Sequence, residues 1–524
     1  MRTRRFTIAA VLTALGLHPL VGMSAVPSSE DLTRHFAGAS HAPLLVMVLD
    51  ADTGEPVPCC IYLKDAAGNP VQPQMWPFWH DHFVCPGVAK LDLPFGAYSY
   101  EIDRGPEYLL TTGRFTVSGN GALGVTCQLH RLADLTSEGW WSGELHIHRS
   151  IADIKLLMQA SDLHVAPVIT WWNAQNMWTE QPPPSNPLIR FDRDRFCQLM
   201  AGEYERHGGA VLFFNLERPL DMIRATREFP SSMQFITEAR RHPGAWIDIE
   251  KPFWWDVPVW LASGMVDSIG IAHNQMQRNG GVPTEAWGRS RDMQRFPGPQ
   301  GDGFWTQTIY YHVLNCGLRL PPSAGSASGV LPNPVGYDRM YVHLDGEPSY
   351  QRWWAGLKAG QVFVSNGPLL RCRANGELPG HVFKTTAGRS LTLKLDVALD
   401  SRDPISALEI IQNGRVIRTV SYAEWKQIGS LGSVTFEESG WFLVRAMANV
   451  PNTFRFASTG PFYVEIGPIS RRISEASAQF FLDWVRERMR QIRLDDPREQ
   501  AEVLKYHQQA EQFWQEMVAR ANAP

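Results

Sequence analysis

The chain has 524 residues, with 49 Lys and Arg against 53 Asp and Glu, a formal net charge of −4 and 44% hydrophobic residues. That length exceeds one ordinary domain and predicts three or four units with conventional cores. The near balance of charge excludes the electrostatic footprint of a nucleic-acid partner or an anionic membrane surface.

In chain order, the basic start Met1-Arg2-Thr3-Arg4-Arg5 is followed by the apolar run Phe6 to Leu17 and by small residues around Gly22, Ser24 and Ala25. This is the pattern of a secretory signal over residues 1–25, so the mature chain is expected in the periplasm or outside the cell, beginning near Ala25 to Ser29. No later run has the roughly twenty apolar residues that a membrane span needs. Among the seven Cys, the four that fall close together (Cys59, Cys60, Cys85 and Cys127) offer one disulfide, and the other three read as buried thiols. Residues 40–135 show period-two runs at Leu44 to Leu49, Cys60 to Leu63, Tyr98 to Ile102 and Phe115 to Val117, which predict a β-sandwich. The stretches Asp50-x-x-Thr53-Gly54-x-Pro56-Val57 and Phe95-Gly96-x-Tyr98-x-Tyr100 resemble the carboxypeptidase-regulatory-like sandwich.

Residues 136–370 change character, with the strand Val165 to Thr170, a helical stretch Phe191 to Arg206 and the strand Gly209 to Leu216. Alternating β and α units predict a parallel sheet closed into a distorted (β/α) barrel, with sites at strand C-termini. Residues 371–468 return to short strands around the turn Asn413-Gly414 and read as an immunoglobulin-like sandwich. Residues 469–524 are helical: Phe480, Trp484, Val485 and Met489 form one stripe, Asp496-Pro497 interrupts, and Val503, Leu504, Tyr506, Phe513, Trp514 and Met517 form another. The fold class expected is therefore multidomain α/β plus β, a distorted barrel flanked by two β-sandwiches with a C-terminal helical segment.

The stretch that carries chemistry is Trp140-Trp141-Ser142-Gly143-Glu144-Leu145-His146-Ile147-His148. Two imidazoles at i and i+2 on extended backbone share a face and can offer two nitrogens to one ion. The run resembles the first metal motif of the PHP (polymerase and histidinol phosphatase) superfamily, in its carbaryl-hydrolase-like CehA/McbA branch. The likeness extends over roughly residues 136 to 370 and is strongest at Gly139 to His148, Ala239 to Pro258 and Ala359 to Leu370. It implies a PHP-type metallohydrolase barrel. Three motifs depart from the family: Thr170-Trp171-Trp172-Asn173 stands where members have Thr-Asp-His, Lys251 holds an imidazole position after Glu250, and Gly325-Ser326-Ala327-Ser328 replaces Gly-Ser-Asp-x-His. A full trinuclear site cannot be assembled from the matching positions.

What the resemblance leaves is a single divalent ion, zinc or manganese, held by His146, His148, Glu203, Glu250 and His273, with Glu205 and Lys251 as catalytic candidates. Gly202-Glu203-Tyr204-Glu205 matches a family Gly-x-Glu region in a register that leaves both Glu203 and Glu205 open. Lys251 has three uses open to it: an ion pair with Glu250, a contact to an anionic substrate group, or, once carboxylated, metal ligation. The function expected is a secreted metal-dependent hydrolase of an ester, carbamate, amide or phosphoester, acting on a small-molecule or glycan substrate. The alternative is a non-catalytic relative in which Trp171, Trp172, Trp254 and Trp255 form an aromatic cleft for a glycan or other polymer. P-loop, dinucleotide and nucleophile-elbow signatures are absent, and the sequence leaves the oligomeric state open.

Overall fold

Ala42, Leu44, Val46 and Val48 alternate with exposed neighbours along the strand His41–Asp50, and this one-sided burial builds the first layer of the N-terminal region. The computed structural model describes residues 40–119, 123–468 and 470–524, so the signal-peptide pattern lies outside the described residues. In the N-terminal region a three-stranded sheet (Val88–Pro94, His41–Asp50, Leu123–Leu129) faces a five-stranded one that includes Cys59–Lys64 and Gly96–Asp103. All seven cysteines are free and buried, which corrects the expected disulfide. Cys59 and Cys85 do oppose each other across two antiparallel strands, but their sulfurs stand 4.0 Å apart in a thiol contact.

The central sheet is mixed. Trp140–Gly143, Val165–Trp172 and Arg195–Arg206 run parallel; Gly209–Phe214 is antiparallel to the last of these and to Trp246–Ile249. Ser268–His273 and Pro322–Gly325 then continue in parallel. On the other side Arg339–His343 pairs antiparallel with Trp140–Gly143 and with Val362–Ser365. The hydrogen-bonded circuit does not close on these strands, because Val362–Ser365 also pairs with Phe456–Thr459 and carries it into the C-terminal sandwich.

One expected helix is a strand. Residues 188–206 form the hairpin Leu188–Phe191 and Arg195–Arg206, turned by Asp192 and Arg193 at φ 50° and 70°. Two consecutive left-handed residues cannot continue a helix, and residues 195–204 are buried on both faces, which a one-sided helix pattern does not accommodate. The consequence for the site is direct, since Glu203 and Glu205 now point to one face.

The C-terminal region carries the expected hairpin, with Asn413 and Gly414 at φ 49° and 82° between Ile405–Gln412 and Arg415–Ser421. Helices Glu475–Gln491 and Pro497–Ala519 follow, the second capped by Asp496, whose side chain accepts from Arg498 N. The buried stripe of the second helix, Val503, His507, Ala510, Trp514 and Met517, keeps helical spacing and lies against helix Val257–Ser263 of the central region. Among the described residues no helix is long and apolar enough to cross a membrane.

Candidate metal centre

His146 and His148 lie just beyond the strand Trp140–Gly143, where a single bridge between Ile147 and Ser328 keeps the backbone extended. Ile147 is fully buried on one side, so both imidazoles turn to the other. Behind His146 there is room only for glycine, since a Cβ on Gly325 would stand 2.3 Å from His146 Cβ.

The strand Arg195–Arg206, next but one in the sheet, completes the group. Glu203 Oε2 lies 3.0 Å from His148 Nε2 and 3.5 Å from His146 Nε2, and the two Nε2 atoms are 3.1 Å apart. Ligands at ~2.0–2.2 Å from one ion stand about 3.0 Å apart in octahedral and about 3.4 Å apart in tetrahedral geometry. The triangle fits an ion. It fits hydrogen bonding less well, because Glu203 Oε2 is buried and accepts no well-directed hydrogen bond. All three side chains are largely buried, and His148 is the most accessible of them, at 9%.

Glu250 takes a different place from the one expected of it. Its Oε1 is 3.2 Å from His146 Nδ1, the nitrogen turned away from the triangle, so it orients the ring and leaves Nε2 to a metal. Glu250 is itself held by the Lys251 ammonium, which bonds both of its oxygens, and by Trp254 Nε1 at 2.8 Å. Lys251 also lies 4.7 Å from the centroid of the Trp254 ring. Of the three uses open to Lys251, the ion pair with Glu250 is the one observed. His273, expected as a ligand, is not part of the triangle: its Nε2 is 2.8 Å from Thr306 Oγ1 and its ring packs edge-on against Phe253.

Glu205 stands half-buried beside Glu203 and accepts from Trp172 Nε1 at 3.1 Å. Asn173, at φ 55°, accepts from Glu205 N through Oδ1 at 2.8 Å and donates its own N–H to Glu203 O at 3.0 Å. The Trp171-Trp172-Asn173 stretch therefore fixes the strand that carries both carboxylates. Trp171 is buried on Gly202, where a Cβ would meet its ring at 2.0 Å. Trp171 and Trp254 are both core residues, so only Trp172 and Trp255 of the proposed aromatic cleft have exposed surface.

The imidazole and the carboxylates favour each other's charged forms. Burial opposes charge on His146, but Glu203 and Glu250 outweigh it and push its pKa up to about 10. Burial likewise opposes ionisation of Glu203 and Glu250, yet His146 and His148 hold Glu203 well below the usual carboxylate range, and Lys251 with His146 brings Glu250 to about 2. Glu205 is pushed up to about 7 by burial and by Glu203. Deeper in the fold, burial takes Asp302 to about 8 and lowers His273 to about 3.

The roles of Trp172, Asn173 and Gly325 carry no spacing signal, because each acts through contacts formed between strands. No family model matches the chain, and no curated protein matches it. Among solved structures the chain is similar to the Bacillus anthracis TIE protein, at 23% identity over 22% of this chain and 20% of that one. It is also similar to a streptococcal ancillary pilin, at 11% identity over 22% of this chain and 38% of that one. Both have a TM-score of 0.15 and carry no argument about fold or function.

Proposed function

We propose that this protein is a metal-dependent hydrolase of PHP type, acting on an ester, carbamate, amide or phosphoester that approaches from the His148 side of the group. The observation that carries the reading is the convergence of His146 Nε2, His148 Nε2 and Glu203 Oε2 within 3.5 Å of one another. A borderline divalent ion such as zinc or manganese suits two imidazoles and a carboxylate, and when bound it polarises an acyl or phosphoryl oxygen and acidifies water. The chain's own groups then divide the remaining work. Glu250 holds the His146 tautomer, Lys251 and Trp254 hold Glu250, and Glu205, which accepts from Trp172, serves in this reading as the group that takes a proton from water. Lys251 is thus a positioning residue.

The aromatic-cleft reading is weakened by the burial of Trp171 and Trp254. Residence in the periplasm or outside the cell rests on the N-terminal pattern and is tested by N-terminal sequencing of protein from its source.

The decisive experiment loads purified protein with Zn2+ or Mn2+ and assays nitrophenyl acetate, carbamate and phosphate. Bound metal, turnover of at least one probe, and loss of both in Glu203→Gln and His148→Ala are expected. Metal-loaded protein inert to a broad ester, carbamate, amide and phosphoester panel, or protein that binds no ion, sinks the hydrolase reading.

A further inference from the structure

We propose that His273, Asp302 and Thr306 form a divalent-cation site of their own, separate from the His146, His148 and Glu203 group. The helix Gly301–Asn315 packs on the strand Ser268–His273. Asp302 and Thr306 are one helical turn apart and so share a face. His273, at the end of the strand, meets both: its Nε2 is 2.8 Å from Thr306 Oγ1 and 3.8 Å from Asp302 Oδ2.

Asp302 is 2% exposed, and neither of its oxygens accepts a hydrogen bond. Native proteins rarely leave a buried carboxylate bare, since its desolvation is offset only by a cation, a proton or several donors. The ionic groups whose fields reach Asp302 are Glu285, Arg291, Lys251 and Glu250. They are already matched with one another, Arg291 with Glu285 and Lys251 with Glu250. Asp302 is the carboxyl left without a partner. A divalent ion takes the place of its proton, with a carboxylate, an imidazole and a hydroxyl as ligands and with Asn274 Oδ1 and Gln275 Oε1 nearby in the chain as further buried oxygens without partners. One nitrogen among several oxygens suits Mn2+ or Zn2+.

This inference shares no side chain with the catalytic reading and can stand or fall alone. The test is metal stoichiometry of the full chain after equilibrium dialysis against Mn2+ and, separately, Zn2+. Wild type should hold two ions, Asp302→Asn one, and the double variant His146→Ala/His148→Ala one. If Asp302→Asn holds as many ions as wild type, or the double variant holds none, the proposal is overturned. A wild type with one ion that is lost in Asp302→Asn and kept in the double variant would remove the catalytic reading and leave this site. Anomalous scattering from Mn2+-soaked wild-type crystals needs no variant to fold: a peak between His273 and Asp302 supports the site, and its absence refutes it.

Discussion

Glu250 and Gly325 act on His146 from opposite sides, one by a hydrogen bond and the other by leaving space. Replacing Glu250 with Gln removes the carboxylate that fixes the imidazole tautomer, and second-layer changes of this kind weaken metal binding by about 10- to 100-fold. Zn2+ titration calorimetry on Glu250→Gln should show that loss with an unchanged far-ultraviolet circular dichroism spectrum; wild-type affinity would mean Glu250 does not serve the ring. Gly325→Ala drives a methyl into His146 Cβ. Overpacking costs about 1–3 kcal/mol, so a lower melting temperature and weaker metal binding are expected together. Trp172→Phe keeps an aromatic ring, though a smaller one, and deletes the donor to Glu205. Its turnover should fall about 10-fold or more, the scale of a mispositioned general base, while metal content stays at the wild-type level. Equal turnover would free Glu205 from that role.

The C-terminal hairpin of helices is fastened by a polar knot under its apolar stripe. Arg488 Nε bonds Asp256 Oδ1 at 2.9 Å, His507 Nε2 lies 3.2 Å from the same oxygen, and Arg488 also pairs with Glu228. Burial raises the Asp256 pKa, but Arg488 and His507 outweigh it and hold it well below the usual carboxylate range. A carboxyl depressed in the folded state stabilises when ionised. Its contribution is therefore complete above the unfolded value of about 3.9 and is lost as pH falls from there towards the folded value. Melting temperatures between about pH 6 and pH 3 should fall less steeply in Asp256→Asn than in wild type, although the variant starts lower; parallel curves would contradict this. Trp514, fully buried with its Nε1 donating to Pro258 O at 2.9 Å, is the apolar counterpart. Trp514→Ala should cost about 3–5 kcal/mol, read as a shift in the denaturation midpoint and as early proteolytic release of residues beyond 470. Both helices were legible from their spacing and from Asp496-Pro497. The strand Arg195–Arg206 was not, because burial on both faces erases the alternation by which a strand is recognised.

At the scale of the whole molecule, the regions share their cores and ion pairs. Cys60, Tyr62 and Val84 of the N-terminal sandwich pack in one cluster with Ile154, Leu157 and Met158 of the central region. Asp162 of that region receives Arg104 and Arg131 across the boundary, and Arg402 of the C-terminal sandwich pairs with Asp103 at 2.7 Å. Removing residues 40–135 should therefore strip the cover from an apolar face and leave Asp162 short of two partners. The shortened chain is expected to aggregate, which size-exclusion chromatography would detect; a stable, soluble central region would show that the boundary is a linker.

By itself the sequence determined the two helices of the tail, the alternating strands of the first sandwich, the Asn413-Gly414 hairpin and the pairing of His146 with His148. All of these rest on spacings of a few residues, set by backbone periodicity and turn conformation. The motif leaves Glu203 and Glu205 open as alternatives, and only the tertiary contacts separate them, Glu203 joining His146 and His148 and Glu205 standing half-buried on Trp172. The tertiary structure alone placed Glu250 behind His146, used Trp172 and Asn173 to fix the carboxylates, and brought Asp302 to His273. Those contacts join residues tens to over a hundred positions apart. Neither periodicity nor motif spacing encodes such distances; they are decided when strands and helices buried on both faces find their only compatible packing.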